Sequence, residues 1–87
     1  MKEIEIIPLA LKKALRRGIP EEWIRETVDS PEQIVEGYGG RNVAHKKYEK
    51  GDREYLLRVV YERQVQVFIV ITAYLTSQIE RYWKEEA

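Results

Sequence analysis

Positively charged and phenolic side chains are the groups in this sequence best suited to act on a ligand. Lys46, Lys47, Arg58, Arg63, Tyr74 and Arg81 fall on segments that a meandering sheet and a C-terminal helix could bring onto one surface. Guanidinium and ammonium groups bind RNA phosphates and stabilise the charge that develops as a phosphodiester is cleaved, and a tyrosine can stack on a base. The competing reading is an ordinary solvated strand face, where charge keeps a sheet soluble. Arg58 is the sharpest case because it interrupts the apolar run Leu56-Leu57-Arg58-Val59-Val60. A charge there is costly unless it reaches solvent, a ligand, or a carboxylate such as Glu36 or Glu49 on a neighbouring strand.

His45 is the one histidine and the one side chain whose unperturbed pKa lies near neutrality. Its setting, Ala44-His45-Lys46-Lys47, fits either plain solvated surface or a catalytic residue. The basic run Lys12, Lys13, Arg16 and Arg17 could touch nucleic acid or an acidic partner, or form the solvated face of an amphipathic helix. Tyr82 and Trp83 suit either core packing or a docking patch. The chain has no cysteine, no paired-histidine spacing and no Gly-rich phosphate loop, so neither a metal nor a cofactor is expected.

Charge and size bound the rest. Lys and Arg number 15 and Asp and Glu 15, a balance that counts against a free-standing nucleic-acid binder. The local distribution is uneven: residues 41–63 hold seven cations against four anions. At 87 residues the chain fits one domain, 1–87, whose core comes from its 44% apolar residues. The opening Met-Lys-Glu-Ile-Glu-Ile-Ile-Pro breaks its apolar residues with two glutamates, unlike a signal peptide, and the longest apolar stretch, 67–75, is far short of the roughly 20 residues of a spanning helix. A cytoplasmic protein without a membrane anchor is expected.

The elements that must position these residues follow from periodicity and punctuation. Glu3-Ile-Glu-Ile alternates like a short edge strand before Pro8. From Pro8 to Arg17, Leu11, Ala14 and Leu15 form a helical stripe, with Gly18 as the stop. Pro20 opens a second helix whose apolar side is Trp23, Ile24, Thr27 and Val28, ending before Ser30-Pro31. Four strands are predicted at residues 33–38, 43–50, 55–62 and 65–74, joined by short turns and therefore antiparallel. Along the last, Val65, Val67, Ile69 and Ile71 should face one way and Gln66, Phe68, Val70 and Thr72 the other, so the strand should be interior with one set beneath the helices. Ser77-Gln-Ile-Glu80 matches a capping box opening a short terminal helix. The fold class is α+β: two N-terminal helices on an antiparallel sheet of about four strands, with a short C-terminal helix.

The segments Leu11-Lys-Lys-Ala-Leu-Arg-Arg-Gly-Ile19, Ser30-Pro-Glu-Gln-Ile34, Leu57-Arg-Val-Val-Tyr61 and Val70-Ile-Thr-Ala-Tyr74 resemble the DUF4258 family over roughly residues 8–83. That family is similar in layout to the BrnT and RelE/ParE toxins, several of which cut messenger RNA. The resemblance implies a RelE-like fold, an RNA substrate and a cognate antitoxin as protein partner. The position matching a histidine often found in the family is Leu9 here.

Two functions follow. In the first, a metal-independent endoribonuclease, Arg58, Arg81, Tyr74 and His45 are the catalytic candidates, while Lys46, Lys47 and Arg63 bind RNA. In the second, the protein is a non-catalytic module that docks a protein partner. The balanced charge favours the second reading and the resemblance favours the first.

Overall fold

The computed structural model describes residues 3–85. Strand β1 (Glu3–Ile6) leads into helix α1 (Pro8–Arg16) and helix α2 (Glu21–Asp29). Strands β2 (Gln33–Glu36), β3 (Asn42–Lys50), β4 (Arg53–Arg63) and β5 (Val67–Thr76) follow as an antiparallel meander, with a 3-10 turn at Tyr38–Gly40 and a last helical turn, α3 (Ile79–Tyr82). The strand order is β1-β5-β4-β3-β2.

The expected α+β architecture holds, with one change to the sheet. It has five strands and is mixed, because β1 pairs in parallel with β5. The two helices between β1 and β2 carry the chain across one face of the sheet, and the meander returns β5 to β1's side. An apolar strand such as β5 thus gains a neighbour on both edges over Val67–Val70, where β1 pairs with it.

Helix α1 lies over β5, and α2 lies over β3 and β4. The end of α1 is a Schellman turn: Ile19 N–H donates to Ala14 O at 2.9 Å and Gly18 N–H to Leu15 O at 3.0 Å, with Gly18 at φ 76°. That turn drives Ile19 fully into the core beside Ala14, Ile24 and Val28, against Leu57, Val59, Phe68 and Val70. One residue departs from the expected stripes. Leu15 is 57% exposed, and α1 approaches the sheet through Ala10 and Ala14 instead. Small side chains allow the helix backbone to sit close to β5.

The alternation along β5 does not run unbroken. Tyr61 pairs with Val70 and Val60 with Thr72, so Ile71 is an extra residue with no opposite number. A bulge of this kind reverses the facing of every side chain beyond it. Of the two sets, Phe68 and Val70 face the helices, but beyond the bulge Ala73 and Leu75 take that face. Thr72 and Tyr74 therefore turn to the opposite face, contrary to simple alternation. Val65 is also outside the strand, in the turn before Val67 and 99% exposed.

The capping box does not form. The N-cap position of α3 is Gln78, no side chain caps it, and Ser77 is exposed. Thr76 Oγ1 accepts from Gln78 N–H at 3.0 Å instead, closing a local side-chain turn at the end of β5. Among the described residues no helix is long and apolar enough to cross a membrane.

Candidate functional site

The sheet face turned away from α1 and α2 carries a polar row across four strands. The register places Gln33 of β2 opposite His45 of β3, His45 opposite Arg58 of β4, and Arg58 opposite Tyr74 of β5. The middle link, His45 with Arg58, is set by the tight β3–β4 turn. Gly51, at φ 66°, and Asp52 form a two-residue hairpin loop that pairs Lys50 with Arg53, and five steps back along each strand stand His45 and Arg58. The last link depends on the bulge at Ile71, which aims Tyr74 at this face.

Hydrogen bonds join the row end to end. Arg58 Nε–H donates to His45 Nε2 at 3.0 Å, and Arg58 Nη1–H donates to the Tyr74 hydroxyl oxygen. Since a guanidinium only donates, His45 Nε2 must be the acceptor and its ring proton sits on Nδ1. Nδ1–H then donates to Gln33 Oε1, 3.1 Å away. His45 is fully buried, not solvated surface. Burial first, and the Arg58 charge second, lower its pKa from the usual 6.5 to about 4, so the imidazole is neutral at pH 7.

Arg58 is half-buried, yet among the described residues it has no carboxylate partner. The expected candidates are elsewhere: Glu36 stands opposite Asn42 and Glu49 opposite Glu54. Its Nη2 has no protein acceptor among the described residues, and no buried side-chain nitrogen or oxygen there lacks a partner, so Nη2 reaches solvent. The guanidinium is thus oriented by two neutral groups and keeps free N–H donors.

Aromatic rings from the C-terminal segment close over these cations. The Arg58 guanidinium carbon lies 4.1 Å from the Tyr82 ring centroid, and that of Arg81 lies 5.5 Å from the same ring. Lys47 Nζ sits 4.2 Å from the Trp83 ring, which also stacks toward His45 at 6.3 Å. Beside this cover is a cleft of about 660 Å³, lined among others by Lys47, Glu54, Glu80, Arg81, Trp83 and Glu85. Among the described residues no group of three His, Asp or Glu side chains is placed to hold a metal ion.

The structure therefore gathers Arg58, Tyr74, His45, Arg81 and Lys47 into one region. It does not gather Lys46 or Arg63. Lys46 is on the helix-covered face, where its Nζ donates to Ser30 O at 3.1 Å and lies 3.9 Å from Glu26. Arg63 is at the far end of β4, with its guanidinium 6.0 Å from the Phe68 ring. Lys46 and Lys47 are equivalent by residue type, but strand alternation sends neighbours to opposite faces. Gln33 is the member that sequence reasoning missed, because the connection from β2 to β3 through Tyr38–Gly40 has no length that dictates register.

Fold and site together define a small α+β domain with an arginine-centred polar row on the open face of a mixed sheet. The chain belongs to the DUF4258 family, described as a domain of unknown function, whose model matches residues 10–75. All four residues of the row lie inside that span, and Arg81, Tyr82 and Trp83 lie beyond it. No curated protein and no solved structure matches the chain.

Proposed function

We propose that this protein is a toxin-like endoribonuclease of a toxin-antitoxin pair, acting on messenger RNA without a metal and using Arg58 to hold the scissile phosphate. The observation that carries the reading is the half-buried guanidinium of Arg58 with neutral partners on two N–H groups and no carboxylate among the described residues. A charge withdrawn from water without a counter-ion is costly, and an anionic ligand is what compensates it. The resemblance to BrnT and RelE/ParE toxins supplies the class of ligand, RNA.

In this reading Arg58 stabilises the negative charge that grows on the phosphate, and Arg81 adds a second guanidinium beside the same Tyr82 ring. Lys47 binds the RNA backbone, and Tyr82 or Trp83 offers a surface for a base. Tyr74 accepts from Arg58 and keeps its own hydroxyl proton to donate toward a phosphate oxygen. His45 is a positioning residue: with Nε2 engaged and its basicity lowered, it holds Arg58 instead of taking a proton.

That engagement of His45 also favours a second reading, a non-catalytic module that docks a protein partner, because the row then has no free general base. The mixed cleft, with Glu54, Glu80 and Glu85 beside Lys47 and Arg81, suits a polar protein surface as well. Regulated expression in a bacterial host separates the two. The wild-type chain should arrest growth with cut transcripts, and the Arg58→Ala, Arg81→Ala double variant should fold normally and be harmless. Undiminished RNA cleavage by the folded double variant would overturn the assignment to these arginines, and a wild-type chain that leaves RNA intact would leave the docking module.

A further inference from the structure

We propose that the segment Ser77–Lys84 is a strap that occupies the Arg58 site in the free protein, is latched by the Gln33 carboxamide, and lifts off Arg58 with its latch released when an oxyanion ligand binds between them, Arg81 and Tyr82 still facing that ligand. The inference rests on the reading of Arg58 as an anion site and adds how access to that site is controlled.

The latch is a two-point hydrogen bond. Gln33 Nε2–H donates to Lys84 O at 2.6 Å and Lys84 N–H donates to Gln33 Oε1 at 3.1 Å, so a side-chain amide pairs with backbone as another strand would. The same Oε1 also receives Nδ1–H of His45. Gln33 thus touches both the strap and the group that orients Arg58.

The strap covers cations without neutralising them. Tyr82 lies on Arg58 and Trp83 on Lys47, and ring faces attract cations less strongly than a phosphate held by charge-assisted hydrogen bonds. A ligand of that chemistry can therefore displace them. The strap is also weakly held by itself. Helix α3 is a single turn of four residues, none buried and none supplying a side-chain cap. A lone turn gains little from its own hydrogen bonds, and a segment with few buried contacts opens at small free-energy cost. The strap further lies outside residues 10–75, the span matched by the family model, whereas Gln33, His45, Arg58 and Tyr74 lie inside it.

The test compares Lys84→Pro with Lys84→Ala in the full chain. Proline removes the Lys84 N–H bond to Gln33 while leaving Gln33 on His45, and Trp83 already has the extended backbone, φ −73° and ψ 124°, that a residue before proline requires. Alanine removes the same side-chain charge and keeps the latch. The readout is the rate at which phenylglyoxal modifies Arg58, followed by mass spectrometry with Arg25 as the internal reference. Lys84→Pro should modify Arg58 about fivefold faster than Lys84→Ala, the shift expected from losing one net hydrogen bond. Equal rates in two folded variants would overturn the strap.

A second measurement uses the wild-type chain, in case the proline variant does not fold. Saturating oligouridylate should accelerate hydrogen exchange at the Lys84 amide, and an amide that stays equally protected in the bound state would also overturn the strap. Failure of oligouridylate to bind any form would count against the RNA reading alone, because the phenylglyoxal comparison needs no ligand.

Discussion

His45 and Arg58 show how one hydrogen bond settles the chemistry of two residues. By accepting from Arg58, the imidazole fixes its own tautomer and the plane of the guanidinium, and it stays neutral because burial disfavours its charged form and protonation would also place two positive charges in contact. A group whose folded pKa of about 4 lies below its unfolded 6.5 binds a proton more readily when unfolded. Its contribution to stability is full above pH 6.5 and is lost progressively as pH falls to about 4. Urea midpoints across that window should fall more steeply for wild type than for His45→Gln, whose amide oxygen can still accept from Arg58. Parallel profiles for the two proteins would show that His45 is not held neutral. Arg58→Lys should fail to restore binding, since an ammonium has no planar fork to bridge His45 and Tyr74 together; filter binding of an oligoribonucleotide checks this.

Among the elements, β5 decides the most. Ile71 is half-buried at the bulge, so Ile71→Ala should cost only about 1–2 kcal/mol of transfer free energy. Leu57, fully buried under the helices, should cost about 2–5 kcal/mol when cut to alanine. Chemical denaturation of the pair checks the facing of the sheet, and a larger loss at Ile71 than at Leu57 would contradict it. Deleting Ile71 removes the unpaired residue and should leave Tyr74 opposite Arg58, because Val70 and Thr72 keep their partners. At the end of β5, Ser77→Ala should change stability by less than about 0.5 kcal/mol, as for an exposed residue without a partner role. Thr76→Val should cost about 1 kcal/mol through the lost Gln78 N–H bond. Equal effects at the two positions would restore the capping-box expectation.

At the scale of the whole molecule, a chain with balanced charge brings Arg58, Lys47 and Arg81 onto one patch of sheet and strap, beside Glu54, Glu80 and Glu85. In the RNA reading, balanced charge makes long-range attraction weak, so binding would rest on local contacts at Arg58, Lys47 and Arg81. Inorganic phosphate at fixed ionic strength should raise the melting temperature of the wild type, because a ligand that binds only the folded state stabilises it by mass action. For a domain of this size each kcal/mol gained is worth about 4–8 °C. The rise should vanish in Arg58→Ala, and an equal rise in both would place the anion elsewhere.

The α+β class, the two helices, the meander and the outlier status of Arg58 were all legible in the residues, because each rests on local rules: periodicity, turn chemistry and the cost of a charge in an apolar run. The pairing of His45 with Arg58 was not: strands bounded at 50 and 55 offer Arg58 a carboxylate such as Glu36 or Glu49, whereas the two-residue loop Gly51-Asp52 fixes the β3–β4 register that sets it against His45. Nor were other features. The parallel pairing of β1 with β5 joins residues far apart in the chain, and no local pattern encodes which strand will be its neighbour. The bulge at Ile71 reverses the facing of Tyr74 with no glycine or proline to announce it. Gln33 enters the site only because β2 docks in one register on β3, and Lys46 leaves it for the opposite reason, one step along a strand whose buried faces were assigned by the packing of α2. Local sequence specified which elements form, whereas contacts between distant elements decided which side chains share a face.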